Sequence, residues 1–357
     1  YEGVAEVING VDFTIERGET IGLVGETGCG KSVTAKALLG LLPEVADIPE
    51  GEILFKGQNV LEMSNKERHR LRGQEMSMIM QDPMTSLNPV FTIGEQMMDV
   101  LKWQDKENIG VYSVIKDALG SSRKQEYREK ALNILEEVQI SDPERVLSSY
   151  PIELSGGMRQ RILIAMALLS EPEFLIADEP GTALDVTTEA KILELLNKLI
   201  GEKGASVMYI THDLGVAKKV TDRINVMYAG NIVEQGPVEP LFRDPCHPYT
   251  RGLLDSIPQL AHGIGEGIEG QLPDYTSASN ACRFAERCPY ATSECEQTFP
   301  YLRETSDGHS VACHLFDGNP VYDRHQDLAA ERIDIGKAPW QEGDSEEHAT
   351  HLKGGSE

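Results

Sequence analysis

Positive charge is scarce in this chain. Lys and Arg total 33 against 58 Asp and Glu, a net charge of −25 over 357 residues. Nucleic-acid binding needs clustered Lys and Arg for phosphate contacts, so the acidity argues against nucleic acid as the main partner. Long apolar runs are also missing. The longest, Ile162 to Leu169, falls far short of the roughly 20 residues that a membrane span requires. No secretory signal pattern opens the sequence, and no internal repeat or heptad pattern runs along it. Cysteine is nearly absent up to Cys282: only Cys29 and Cys246 precede it. Hydrophobic content of 40% is nonetheless enough for one large core or two modest ones.

The most informative segment is Gly25-Glu26-Thr27-Gly28-Cys29-Gly30-Lys31-Ser32. It fits G-x-x-x-x-G-K-[ST], a loop whose glycines let successive N–H groups turn toward an anion. Lys31 brings a mobile charge to the β- and γ-phosphates, and Ser32 a hydroxyl for Mg²⁺. The apolar run Thr20 to Val24 predicts a buried strand before the loop, and Val33 to Leu42 a helix after it. The N-terminus of that helix favours phosphate further. The candidate nucleotide-contacting set is therefore Gly25, Gly28, Cys29, Gly30, Lys31, Ser32 and Val33.

A second apolar run, Phe174 to Ala177, ends in Asp178 and Glu179. A carboxylate there can hold Mg²⁺, which prefers hard oxygen ligands, and its neighbour can polarise an attacking water. Between the two runs lies Leu154-Ser155-Gly156-Gly157-Met158-Arg159-Gln160-Arg161, followed by the apolar run from Ile162. It reads as a second helix N-terminus with free backbone N–H groups. This segment resembles the signature motif of ABC transporter ATPases. The resemblance implies that Ser155, Gly156 and Gly157 bind the γ-phosphate held by a partner subunit, two subunits sandwiching two ATP molecules.

The other motifs of that family appear in order. Gln81, after Met78-Ile79-Met80, matches the Q-loop glutamine and adds a ligand to Mg²⁺ alongside Ser32 and Asp178. Ala183-Leu184-Asp185 matches the D-loop. His212, after the strand Val207 to Ile210, matches the switch histidine. Met78 to Pro89, Met158 within the signature, and Pro245-Cys246-His247-Pro248-Tyr249-Thr250 are similar to the oligopeptide/dipeptide importer branch. The resemblance covers roughly residues 3 to 316. Two positions depart from it. Cys29 stands where serine is usual, a thiol expected to point away from phosphate yet open to alkylation. Gly181 stands where threonine is usual and is expected to loosen the turn after Glu179. The family's adenine-stacking aromatic would fall in a first strand at or before Tyr1, which reads more simply as a frayed terminus.

The predicted architecture is α/β: a P-loop ABC-ATPase core with an inserted helical subdomain and a small cysteine-containing C-terminal region. Residues 1–84 and 156–235 form the core, with strands and helices alternating around a mainly parallel sheet. Residues 85–155 form the helical subdomain, which ends in the signature motif. Ile93 to Leu101 and Arg128 to Val138 carry its helical periodicity. Residues 236–316 form the C-terminal region, with a glycine-rich linker at 263–270. Residues 317–357 form an acidic tail with little fixed structure.

Four cysteines, Cys282, Cys288, Cys295 and Cys313, fall within 32 residues. The spacing C-x5-C-x6-C-x17-C lacks the C-x2-C pairs of common zinc sites. Metal or cluster ligation is the better reading, with zinc and unligated thiols as alternatives. The resemblance implies a [4Fe–4S] cluster on these four positions, with a structural or sensory role. His309 and His314 read as loop histidines and Cys246 as a free thiol.

The resemblance also implies the function: an ATPase powering uptake of di- or oligopeptides or related small solutes, with ATP and Mg²⁺ as cofactors. Glu179, His212 and Gln81 are its expected catalytic residues. Expected partners are a second ABC ATPase subunit (identical or paralogous), two transmembrane permease subunits that form the path, and an extracytoplasmic solute-binding protein. The expected location is the cytoplasmic face of the cell membrane. The competing readings are a soluble ABC ATPase acting on nucleic acid or ribosomes, and a sensor built on the cysteines.

Overall fold

The computed structural model describes residues 4–104, 121–182, 184–256, 268–276, 281–305 and 308–316. Tyr1, Ala183, most of the glycine-rich linker and the acidic tail lie outside the described residues. Two compact units emerge. One comprises residues 1–14, 21–33 and 211–357, the other residues 15–20 and 34–210.

In the first unit, β1 (Thr20–Val24) runs parallel to β7 (Arg223–Tyr228), with Ile21 opposite Arg223 and Val24 opposite Val226. Both strands are almost wholly apolar and buried, as strands covered on both faces should be. The sheet then departs from the expected parallel pattern. Strand β7 turns back antiparallel into β8 (Asn231–Pro237). The turn is Ala229-Gly230, with φ of 44° and 84°. Two left-handed residues in succession match the right-handed twist of a hairpin. Strand β8 also pairs with β10 (Ser310–Val311), which pairs with β9 (Arg303–Glu304), both antiparallel. The cysteine segment is thereby stitched to this sheet. Tyr228, Tyr249 and Phe284 meet edge to face beside it, with ring centroids 4.7 to 5.5 Å apart. Such ring pairs add about 0.5–1.5 kcal/mol each beyond the area they bury.

The second unit contains β4 (Met76–Ile79), β5 (Phe174–Asp178) and β6 (Ser206–Thr211), all parallel, with β5 in the middle. Every residue of β5 and β6 is buried. A separate two-stranded hairpin, β2 (Leu54–Phe55) and β3 (Gln58–Asn59), turns at Lys56-Gly57. Local caps set the helix boundaries. Ser64 accepts from Glu67 N–H while Glu67 accepts from Ser64 N–H at 2.8 Å, a reciprocal capping box that starts helix Asn65–Gln74. Asp142 caps Pro143–Ser148, and Asp185 caps Val186–Lys203, which stops at left-handed Gly204.

Most of the described residues between 85 and 155 are helical. Ile93–Gln104 and Ser121–Glu137 bury Ile93, Met97, Leu101, Ala131, Ile134 and Leu135 at helical spacing. The apolar run from Ile162 belongs to helix Gly156–Leu168, buried on nearly all sides within this unit. The helix after the glycine loop is Lys31–Leu38, which starts two residues earlier than its apolar pattern and ends sooner than predicted. Gly40, at φ 59°, turns the chain after it and Pro43 prevents continuation. Among the described residues, no helix is long and apolar enough to cross a membrane.

Candidate nucleotide-binding site

Strand β1 delivers the chain to Gly25, and helix Lys31–Leu38 begins at the motif lysine. Gly25 lies so close to the β7 backbone that a Cβ there would run into Met227 O and stand 2.9 Å from Cys29 Sγ. Gly28 and Gly30 adopt φ of 89° and 113°, which other L residues rarely reach. The loop thus requires glycine on two separate grounds, contact and backbone. Lys31 is buried, and its ammonium donates to Gly25 O at 2.6 Å and to Glu26 O at 3.0 Å. The charge is held against the backbone of the loop that the sequence predicts to bind an anion.

Cys29 corrects one expectation. Its side chain is fully buried, with Sγ 3.9 Å from Lys31 Nζ. Burial raises the thiol pKa despite the nearby lysine. A protonated, inaccessible thiol resists alkylation, so Cys29 is a packing residue of the loop.

Three groups of this loop are held from the C-terminal part of the same unit. Tyr249 Oη accepts from Glu26 N–H at 2.9 Å. Tyr275 Oη donates to Gly28 O at 2.8 Å. Arg287 forms a two-pronged pair with the Glu26 carboxylate, at 2.9 and 3.0 Å. His212 also belongs to this unit. It is exposed, just after β6 and just before helix Leu214–Val220, whose N-terminal N–H groups are capped by Asp213.

The second unit brings Gln81, Asp178 and Glu179 together. Asp178 ends β5 and is buried. Glu179 follows at φ 45°, an unusual left-handed backbone for a glutamate, fixed by its N–H bonding to Ile210 O at 2.9 Å. Non-glycine residues held in such conformations concentrate at functional sites. Glu179 Oε2 accepts from Gln81 Nε2 at 2.6 Å and from Thr182 Oγ1 at 2.9 Å. The Q-loop glutamine and the carboxylate expected to handle water are thus joined directly. At Gly181 a side chain would collide with Glu189, so glycine makes room there.

Ser155 caps helix Gly156–Leu168 through Met158 N–H and is exposed together with Gly156. A Cβ on Gly157 would stand 3.2 Å from Thr188 Cγ2, which sets the signature turn beside the D-loop helix. Asp185 accepts from Thr188 N–H at 3.0 Å and from Thr188 Oγ1 at 2.7 Å. These bonds hold its carboxyl below the usual carboxylate range. Asp185 is thus a helix cap as well as a family position. The sequence reading assigned no role to Glu26, Thr182, Tyr249, Tyr275 or Arg287, although Glu26 lies inside the glycine-loop motif and Tyr249 inside the Pro245–Thr250 segment.

In the C-terminal region, Cys282, Cys288, Cys295 and Cys313 all line one cavity of about 120 Å³. Cys282 and Cys288 open successive tight turns, with Ala285 N–H to Cys282 O at 3.0 Å and Ala291 N–H to Cys288 O at 3.2 Å. Burial pushes the Cys282 thiol up to about 11 and raises those of Cys288 and Cys313 as well. A different trio, Glu234, Cys246 and His309, is the only group among the described residues whose ligand atoms all fall within 4.8 Å of one another. Hydrogen bonding accounts for it. Glu234 is fully buried and accepts from Cys246 N–H at 2.7 Å and His247 N–H at 2.9 Å, with His309 Nε2 at 2.6 Å. His309 is therefore a buried partner of Glu234 and not a plain loop histidine. His314 Nε2 lies 3.0 Å from Thr298 O.

A glycine loop closed by a buried lysine, together with a strand ending in two buried carboxylates, defines a P-loop nucleoside-triphosphatase. Comparison with known proteins narrows this. The ABC transporter family model matches residues 8–182, and the model of the oligopeptide/dipeptide transporter C-terminal region matches residues 233–295. The probable peptide ABC transporter ATP-binding protein y4tR of Sinorhizobium fredii is 47% identical over 316 residues, covering 87% of this chain and 90% of that protein. The dipeptide transport ATP-binding protein DppD of Bacillus subtilis is 45% identical over 320 residues, covering 89% of this chain and 91% of that protein. Among solved structures, the dimeric post-hydrolysis ATP-binding cassette MJ0796 bound to ADP and Pi superposes with a TM-score of 0.54. That match has 27% identity over 65% of this chain and 91% of the other. The chain belongs to the ATP-binding subunits of the peptide-type ABC transporters, and it is an ATPase.

Proposed function

We propose that this ATPase powers the uptake of di- or oligopeptides through a membrane ABC importer. One observation carries the reading: the oligopeptide/dipeptide C-terminal region follows the cassette in the same chain, and the peptide-transport relatives align across both. The partners are two transmembrane permease subunits, an extracytoplasmic solute-binding protein and a second ATPase chain, identical or paralogous. The chain works at the cytoplasmic face of the membrane. An open groove of about 430 Å³ flanks helix Ile93–Gln104, with exposed Phe91 and Trp103 on its rim. It is suited to a permease loop with an apolar tip.

In hydrolysis, Lys31, Ser32 and the loop N–H groups hold the phosphates, and Val33 continues the helix that faces them. Asp178, with Ser32 and Gln81, supports Mg²⁺. Glu179 orients and deprotonates the attacking water, Gln81 ties that carboxylate to the helical segment, and His212 stabilises charge on the γ-phosphate. Ser155, Gly156, Gly157 and Asp185 serve the nucleotide of the partner chain. Ser155 and Gly156 at the start of one helix and Asp185 at the start of the next are exposed, which supports that role. The test is peptide uptake by cells lacking the gene. The wild-type chain is expected to restore it and Lys31→Ala to fail; unchanged peptide uptake in the deletion strain overturns the assignment.

The four thiols fit a polynuclear cluster better than a single ion. A tetrahedral zinc, with Zn–S near 2.3 Å, draws its sulfurs to about 3.8 Å from one another. Here no three of the four sulfurs lie within 4.8 Å. We propose that Cys282, Cys288, Cys295 and Cys313 hold a [4Fe–4S] cluster, one thiolate per iron. Such a group supplies a cross-link in a segment too small for its own core. Anaerobic purification with iron, sulfide and zinc analysis tests this: about four irons per chain are expected, and a colourless zinc-loaded protein overturns it.

A further inference from the structure

Arg287 lies 261 residues from Glu26, yet its guanidinium reaches the phosphate loop with every donor engaged. Nε donates to Glu269 O at 2.8 Å. Nη1 donates to Glu26 Oε2 at 2.9 Å and to Tyr228 Oη at 3.4 Å. Nη2 donates to Glu26 Oε1 and to Ile268 O, both at 3.0 Å. Five N–H groups meet five acceptors, the full capacity of an arginine and beyond that of a lysine. The Arg287 side chain is 6% exposed and that of Glu26 28%, so the pair is partly shielded from the screening that weakens surface ion pairs.

The chemistry of the loop explains why such a clamp matters. Glu26 is a carboxylate inside a turn that must accept a polyanion. Unpaired, it would repel the phosphates; held by Arg287, it is neutralised and turned aside. Tyr249 and Tyr275 fix Glu26 N–H and Gly28 O on either side of it. We propose that Arg287 is a positioning residue for nucleotide binding, and that the C-terminal region, through it, sets the affinity of the phosphate loop for ATP. The proposal rests on ATP binding at this loop, which titration of the wild-type chain verifies in the same experiment.

The test is calorimetric titration of the full chain with MgATP, alongside thermal unfolding. Arg287→Ala is expected to raise the Kd about tenfold, the scale of losing a partly buried two-pronged charge pair. Adding Glu26→Gln to that variant is expected to recover most of the affinity, because the unpaired carboxylate is then gone. A purely architectural role predicts no such recovery. Should Arg287→Ala fail to fold, Arg287→Lys keeps the charge and the stem but loses the fork, and is expected to bind several-fold more weakly. Wild-type affinity in the arginine variant that folds, or no recovery in the double variant, overturns the proposal.

Discussion

Replacing Glu179 with glutamine isolates chemistry from architecture, and the surroundings of Glu179 allow its size to be worked out. One oxygen of the glutamate accepts from both Gln81 Nε2 and Thr182 Oγ1. A glutamine oxygen still accepts both. What disappears is the charge assistance, about 1 kcal/mol per bond. Removing a carboxylate that is 9% exposed returns a desolvation penalty of similar size. The backbone at φ 45° is no harder for glutamine than for glutamate. Folding stability should therefore change by less than about 1 kcal/mol. Hydrolysis should behave very differently, because an amide cannot take a proton from water. Loss of a positioned base costs a factor of about 10² to 10⁴, or roughly 3 to 5 kcal/mol of barrier. Phosphate release under saturating MgATP measures the rate, and light scattering after size exclusion is expected to show a nucleotide-bound dimer accumulating. Turnover at the wild-type rate, in a variant that binds ATP normally, would remove Glu179 from the water-activating role.

Other outcomes follow from the same geometry. Gly25→Ala forces a methyl group into the β7 backbone at Met227 and should cost about 1–3 kcal/mol, seen as a lower unfolding midpoint; an unchanged midpoint would contradict the close approach. Glu234→Ala strands two buried N–H groups and His309, for a loss of about 3–5 kcal/mol in urea unfolding. His247 is fully buried, and burial pushes its pKa down to about 4 from 6.5. Above pH 6.5 neither the folded nor the unfolded chain protonates it. Between pH 6.5 and 4 only the unfolded chain takes up the proton, so folding loses up to about 3 kcal/mol as the pH falls. Urea midpoints at pH 7.5 and 5.0 should separate less in His247→Asn than in the wild type; equal separation would refute the assignment.

The phosphate loop, the two carboxylates at the end of β5 and the signature turn were legible because each is a contiguous run whose chemistry and local structure coincide. The glycine positions of the loop were readable from spacing alone, since no other residue meets both the contact and the φ requirement. What escaped the sequence depends on chain separation. Glu234 and His309 are 75 residues apart, and Glu26 and Arg287 are 261 apart; no periodicity links them. The β7–β8 hairpin escaped because Ala229-Gly230 is a weak turn signal beside Asn-Gly. The protection of the Cys29 thiol from alkylation escaped because exposure within a loop is a tertiary property: the thiol is buried near Lys31, out of reach of solvent.

The three-ring cluster of Tyr228, Tyr249 and Phe284 has a consequence for protein engineering. Each ring comes from a different stretch: the strand behind the loop, helix Pro248–Asp255 and the cysteine segment. A chimaera that grafted a foreign tail after β8 would bare the flank of Tyr228 and lose the hydroxyl that steadies Glu26. Swaps between transporters of this type should therefore exchange the cassette and its C-terminal region as one inheritance.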